Sequence, residues 1–247
     1  MELTSIKYTQ QQIDEKRTLI AKLFMEESIN IKSSDIKIMS VQDVELLFKL
    51  YDREFFSFWF RDSFKGSFRF SLSKRMTKSA GMTVCPRNIT KMKPEDVVID
   101  IKIGIAMILS YGVLEDSTRV GGIQTTNSLQ ALQLVLEHEI VHAIEFITYG
   151  RSSCKASRFK TMAKNIFGHA ESTHSLATPA RIAYEDLGIR PGSTVTFSFE
   201  GKGLSGIVSN VNKRATVMVA DRKGIWQDSK GKRYSKYYVP LNGLKIK

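Results

Sequence analysis

The chain has 247 residues, enough for one substantial core and a smaller module, and its 42% hydrophobic and 25% charged content excludes wholesale disorder. Its net charge of +12 is unevenly placed: from Ile189 to Lys247 twelve Lys or Arg face three acids, a net of +9, which leaves +3 for everything before. No apolar run follows a basic start and none is long enough to span a bilayer, so neither a signal peptide nor a membrane anchor is expected.

In chain order, residues 9–28 read as an amphipathic helix. Thr9 and Gln12 form a capping-box pair, and Ile13, Ile20, Leu23 and Phe24 share one face. A second helix covers residues 41–52, with Val44, Leu47, Phe48 and Tyr51 at helical spacing. The aromatic cluster that follows (Phe55, Phe56, Phe58, Trp59, Phe60, Phe64) is expected to build core between helix and sheet. Residues 68–72 alternate as a strand does. A turn or hairpin at Ser79-Ala80-Gly81 leads to a second strand at 82–85, and residues 97–103 predict a third that runs into a helix through Leu109.

The longest helix runs from Asn127 or Ser128 to Tyr149, with Gly150 as its stop. A linker at 151–155 precedes a further helix through Phe159, Met162, Ala163 and Ile166, stopped by Gly168, and Pro179 leads into a short helix at 180–187. Beyond Gly188 four short β-patterned runs, at 195–199, 206–211, 215–219 and 234–239, predict a small β-barrel. The expected organisation is an N-terminal helical segment (1–35), an α+β domain with helices packed on a small sheet (36–188) and a basic all-β module (189–247). Two cysteines, Cys85 and Cys154, lie far apart without motif spacing, which suits a reducing compartment, cytoplasmic or nuclear/nucleoid-associated, and not secretion.

The chemistry concentrates at His138-Glu139-Ile140-Val141-His142, an HExxH motif. Histidines at i and i+4 share one helix face, so both imidazoles can reach a single Zn2+ ion, and Glu139 beside them is the candidate general base for a water at that ion. Imidazole and carboxylate groups are costly to bury in a helix this rich in Leu and Ile unless something engages them. The third ligand is open. His169 is preferred, because Gly168 frees the backbone to aim it; His174 and Cys154 are the alternatives. In the C-terminal module Lys202, Lys213, Arg214, Arg222, Lys223, Lys230, Lys232 and Arg233 are candidate phosphate contacts, and Trp226, Tyr234, Tyr237 and Tyr238 lie among them, either stacking on bases or building the barrel.

From about Val44 to Leu176 the order of features resembles the SprT-like (Spartan-type) zinc metallopeptidases. The resemblance rests on Leu47-Phe48-Lys49-Leu50-Tyr51 with Phe55, on Met76-Thr77-Lys78-Ser79-Ala80-Gly81-Met82-Thr83 before the active helix, and on Leu136-Glu137 leading into the HExxH. It implies a zincin-like fold, zinc on His138 and His142, Glu139 as general base, and proteolysis of DNA-associated or DNA-crosslinked proteins with DNA as partner. The family commonly carries its third histidine in a His-Gly pair shortly before a phenylalanine; here the residues before Phe159 are Cys154-Lys155-Ala156-Ser157-Arg158, so that histidine is missing. The C-terminal pattern, from Gly192, Val195 and Phe197 to Tyr238-Val239-Pro240 and Leu244, resembles the SH3-like barrels found behind some SprT-like domains. A non-catalytic module, stapled by zinc and binding nucleic acid or protein, is the alternative function.

Overall fold

Thr9 opens the first helix, α1 (Gln10–Glu27), as expected: its hydroxyl accepts from the Gln12 amide at 3.2 Å while Gln12 Oε1 accepts from the Thr9 amide at 2.9 Å. This computed structural model describes residues 2–212 and 214–247; Lys213, one of the candidate phosphate contacts, lies outside the described residues. Ile13, Ile20 and Phe24 of α1 are buried against the core. Ser40 caps α2 (Val41–Phe56) in the same reciprocal way with Asp43. Left-handed Ser57 and Phe58 then reverse the chain into α3 (Trp59–Asp62), where the Asp52 carboxylate accepts the amides of Phe60 and Arg61, each at 2.9 Å.

The aromatic cluster does build core. Phe55 and Phe56 are fully buried, and Phe48 packs on Phe68 and Phe70 of strand β1 (Ser67–Ser73) at centroid distances of 4.6 and 5.2 Å. Strand β2 (Gly81–Val84) does not form a hairpin with β1. Strand β3 (Val98–Gly104) takes the place between them, parallel to β1 and antiparallel to β2. The physical reason is burial: Ile99, Ile101 and Ile103 have no exposed surface, so β3 is the strand that gains most from two neighbours. β2 is left at the edge of the sheet.

The short helix α4 (Ile105–Leu109) and the two-residue strands β4 (Arg119–Val120) and β5 (Ile123–Gln124) lead to the central helix α5 (Ser128–Tyr149). Asn127 caps it by accepting from the Gln130 amide, and left-handed Gly150 (φ 65°) ends it. The next helix, α6 (Ser157–Phe167), packs beside α5 and ends at left-handed Gly168. The chain after Gly168 returns along β4, with Val120 bridged to His174.

The described chain divides into two compact units, up to Leu176 and from Ala177 onward. The sequence places this division near Gly188; the structure assigns helix α7 (Pro179–Leu187) to the second unit, because Ala183 packs there with Ile189, Val195 and Leu244. That unit is otherwise one antiparallel sheet of β6 (Thr194–Phe199), β7 (Lys202–Val211), β8 (Arg214–Ala220), β9 (Trp226–Gln227), β10 (Arg233–Pro240) and β11 (Lys245–Ile246), in the order β11-β6-β7-β8-β10-β9. This arrangement is compatible with a small barrel. Among the described residues no helix is long and apolar enough to cross a membrane.

Candidate metal centre

Helix α5 buries nearly all of its surface, so each polar side chain in its middle needs a partner. His138 and His142, one turn apart, face each other with their Nε2 atoms 3.1 Å apart, and the ring of Phe159 from α6 covers both at centroid distances of 4.8 and 4.5 Å. Burial pushes the His138 imidazole down to about 3, helped by the neighbouring histidines, and the His142 imidazole down to about 4. Both rings are therefore neutral at physiological pH, the form that ligates metal.

A hydrogen-bond chain fixes which nitrogen of His142 is bare. Ser152 gives its one hydroxyl proton to Glu145 Oε2 at 2.6 Å, so its oxygen accepts from His142 Nδ1–H at 2.5 Å, leaving Nε2 with its lone pair. Glu145 is itself buried and held by Arg158 at 2.5 Å. This is the outer support that orients a ligating histidine. Sequence reasoning missed all three residues; Glu145, three positions after His142 on the same helix, is the one whose spacing could have signalled it.

The third donor near these rings is Cys154. The ligand atoms of His138, His142 and Cys154 lie within 4.8 Å of one another. The residues present fit a zinc ion: two imidazole nitrogens bound tetrahedrally at about 2.0–2.1 Å sit about 3.3 Å apart, close to the 3.1 Å seen, and a thiolate is a favoured companion.

His169, the third ligand preferred from the sequence, is placed elsewhere. Left-handed Gly168 does turn the chain, but it aims the ring beneath α5, where His169 Nε2 lies 2.8 Å from Glu137 Oε2. The same carboxylate takes Arg17 Nε at 2.7 Å, Arg17 Nη2 at 2.6 Å and the Tyr51 hydroxyl at 2.7 Å. Burial pushes the Glu137 carboxyl up, but Arg17 and His169 outweigh it and hold it below the ordinary range. His174 lies outside the ligand cluster too, its Nε2 accepting from the Ala80 amide at 3.2 Å.

Glu139 stands beside the cluster, only 3% exposed, and burial pushes its carboxyl up to about 7 against the opposing hydrogen bond from Thr83. Thr83 Oγ1 lies 2.7 Å from Oε2. Oε1 occupies space that only a glycine leaves: a Cβ on Gly81 would stand 2.4 Å from it. Edge strand β2 and the α5 motif are thus matched residue to residue. Together they line a cavity of about 470 Å³ that also admits His169 and His174.

The candidate phosphate contacts in the second unit, Lys202, Arg214, Arg222, Lys223, Lys230, Lys232 and Arg233, are all exposed. Of the aromatics among them, Trp226 and Tyr238 are 46% and 63% exposed, whereas Tyr237 packs on the core beside Phe197. Lys236 Nζ sits 3.3 Å from the Trp226 ring centroid.

What fold and site define is an α+β domain whose central helix and following loop gather a His/His/Cys cluster able to hold a metal ion. Residues 44–178, more than half of the chain, match the SprT-like family, and the chain belongs to that family, which is associated with zinc-metallopeptidase function. No significant match is found among curated proteins or among solved structures.

Proposed function

We propose that this chain is a zinc-dependent metallopeptidase with a zincin-like catalytic domain, acting on DNA-associated or DNA-crosslinked proteins in a reducing compartment. The observation that carries the reading is Glu139: a buried carboxylate with Thr83 as its hydrogen-bond partner, packed against Gly81 in the cavity that His138, His142 and Cys154 also line. A structural zinc needs no carboxylate beside it, and burying one without a cation is costly.

His138, His142 and Cys154 would hold the ion, with Ser152 and Glu145 keeping His142 Nε2 bare. Zinc bound there polarises the scissile carbonyl and makes water acidic enough to be deprotonated near neutral pH. Hydrolysis adds OH to the carbonyl carbon and a proton to the departing nitrogen; Glu139 Oε1 takes that proton from water and delivers it. Strand β2 has no second strand partner among the described residues, and Met82 and Val84 on it are exposed. An extended peptide added along this edge would bring its carbonyls past the cluster.

The second unit is read as an SH3-like barrel that holds the nucleic acid, its exposed cations meeting phosphates and Trp226 and Tyr238 offering ring faces to unpaired bases. The zinc-loaded full chain is expected to cleave a histone bound to single-stranded DNA. If about six phosphates are contacted, affinity for the DNA should fall about 10³-fold between 50 and 200 mM salt. Replacing Lys202, Lys223, Lys230 and Lys232 by Gln should flatten that dependence. Cleavage indifferent to salt and to these lysines removes the nucleic-acid part of the proposal; no cleavage of any protein removes the peptidase part.

A further inference from the structure

We propose that His174 is a further catalytic residue, donating a hydrogen bond from Nδ1–H to the carbonyl oxygen of the scissile peptide as that oxygen gains negative charge. This rests on the peptidase reading and adds a residue to it. The tautomer follows from one contact. A backbone amide can only donate, so the Ala80 N–H at 3.2 Å makes His174 Nε2 an acceptor, and the proton of the neutral ring is on Nδ1. Burial, which lowers the readiness of this ring to charge, keeps it neutral.

That Nδ1–H is buried and has no hydrogen-bond partner among the described residues. Buried donors are normally satisfied, and an unsatisfied one beside a reactive cluster marks a place where a ligand atom belongs. His174 lines the same cavity as His138, Glu139, His142 and Cys154, and it is close enough to His138 to disfavour charge on that ring. It is held from two sides before any substrate arrives. Its backbone is bridged to Val120, and its Nε2 is fixed to Ala80, the residue before the glycine that accommodates Glu139. A donor fixed in advance where charge develops is what stabilises an oxyanion.

His169 offers the instructive contrast. Its Nδ1 is also buried without a hydrogen-bond partner among the described residues, but that nitrogen lies against Gly121 while Nε2 is committed to Glu137. Of the two leftover histidines, only His174 has its proton placed on Nδ1 by a partner that can do nothing but donate.

The test uses the zinc-loaded full chain with casein as substrate and a phosphinic peptide as the tetrahedral probe. His174→Ala is expected to lower kcat by about 100- to 1,000-fold, with KM changed by less than about threefold and phosphinic-peptide affinity falling in parallel with kcat. Zinc content should stay at that of the parent. His174→Asn, which keeps an amide N–H near the lost Nδ1–H, should recover at least about tenfold of kcat. Loss of zinc from both variants would make His174 a ligand and overturn the assignment. A parent that cleaves casein no faster than His174→Ala overturns it while leaving the peptidase reading intact. A parent that neither cleaves casein nor binds the phosphinic peptide overturns the peptidase reading, and the role of His174 falls with it.

Discussion

Glu139→Gln is expected to reduce peptide hydrolysis by about 10³-fold or more, at the upper end of what a general base contributes, while zinc content remains that of the parent and melting temperature does not fall. The substitution is nearly isosteric. Gln keeps an oxygen for the Thr83 hydroxyl, which lies 2.7 Å from Oε2, and fits the space left by Gly81. Stability should hold or rise, because the side chain is only 3% exposed and a neutral amide is cheaper to bury than a carboxylate. What is lost is the ability of Oε1 to accept water's proton. Steady-state cleavage of casein, with metal analysis of the same sample, separates this outcome from a binding defect. Activity within tenfold of the parent would remove Glu139 from the chemistry.

Arg17→Ala carries the largest expected effect on folding, a loss of about 3–5 kcal/mol, because it leaves a buried carboxylate without its cation. Glu137 has no exposed side-chain surface, and Arg17, 13% exposed, holds both of its oxygens. The guanidinium also reaches the Phe167 carbonyl at 2.5 Å, tying α1 to the end of α6. Without it, Glu137 keeps only Tyr51 and His169 among the described residues. Urea unfolding followed by far-UV circular dichroism reads the loss directly. The double variant Arg17→Met with Glu137→Gln should recover part of it, since removing both charges avoids the unpaired one. Two equal losses, single and double, would show that the charge pair is not what α1 contributes. The contact also explains why residues before the family match at 44–178 belong to the same compact unit as the HExxH helix.

The parts of this molecule legible in the sequence are those written in local spacing. The caps at Thr9, Gly150 and Gly168, the period of α5 and the one-turn separation of His138 and His142 all depend on residues a few positions apart, and the structure realises each. The strand order was not legible, because whether β2 pairs with β1 or β3 is decided by how much apolar surface β3 can bury, a property of the assembled sheet. The placing of Cys154 beside the two rings was hidden for a related reason. A histidine after a glycine is a louder signal than a lone cysteine in a linker, yet only the packing of α6 against α5 decides which of them reaches the rings. Arg17 and Glu137, 120 positions apart, carry no sequence signal of their contact at all.

The central claim is that a metal ion is held by two imidazoles and the thiolate of Cys154, with Glu139 at its side. Zinc K-edge X-ray absorption on the zinc-loaded full chain tests it most directly. The expected first shell is one sulfur at about 2.3 Å and two imidazole nitrogens at about 2.0–2.1 Å, with any remaining ligand a light atom. A shell of nitrogen and oxygen with no sulfur would put another residue where Cys154 stands and contradict the account.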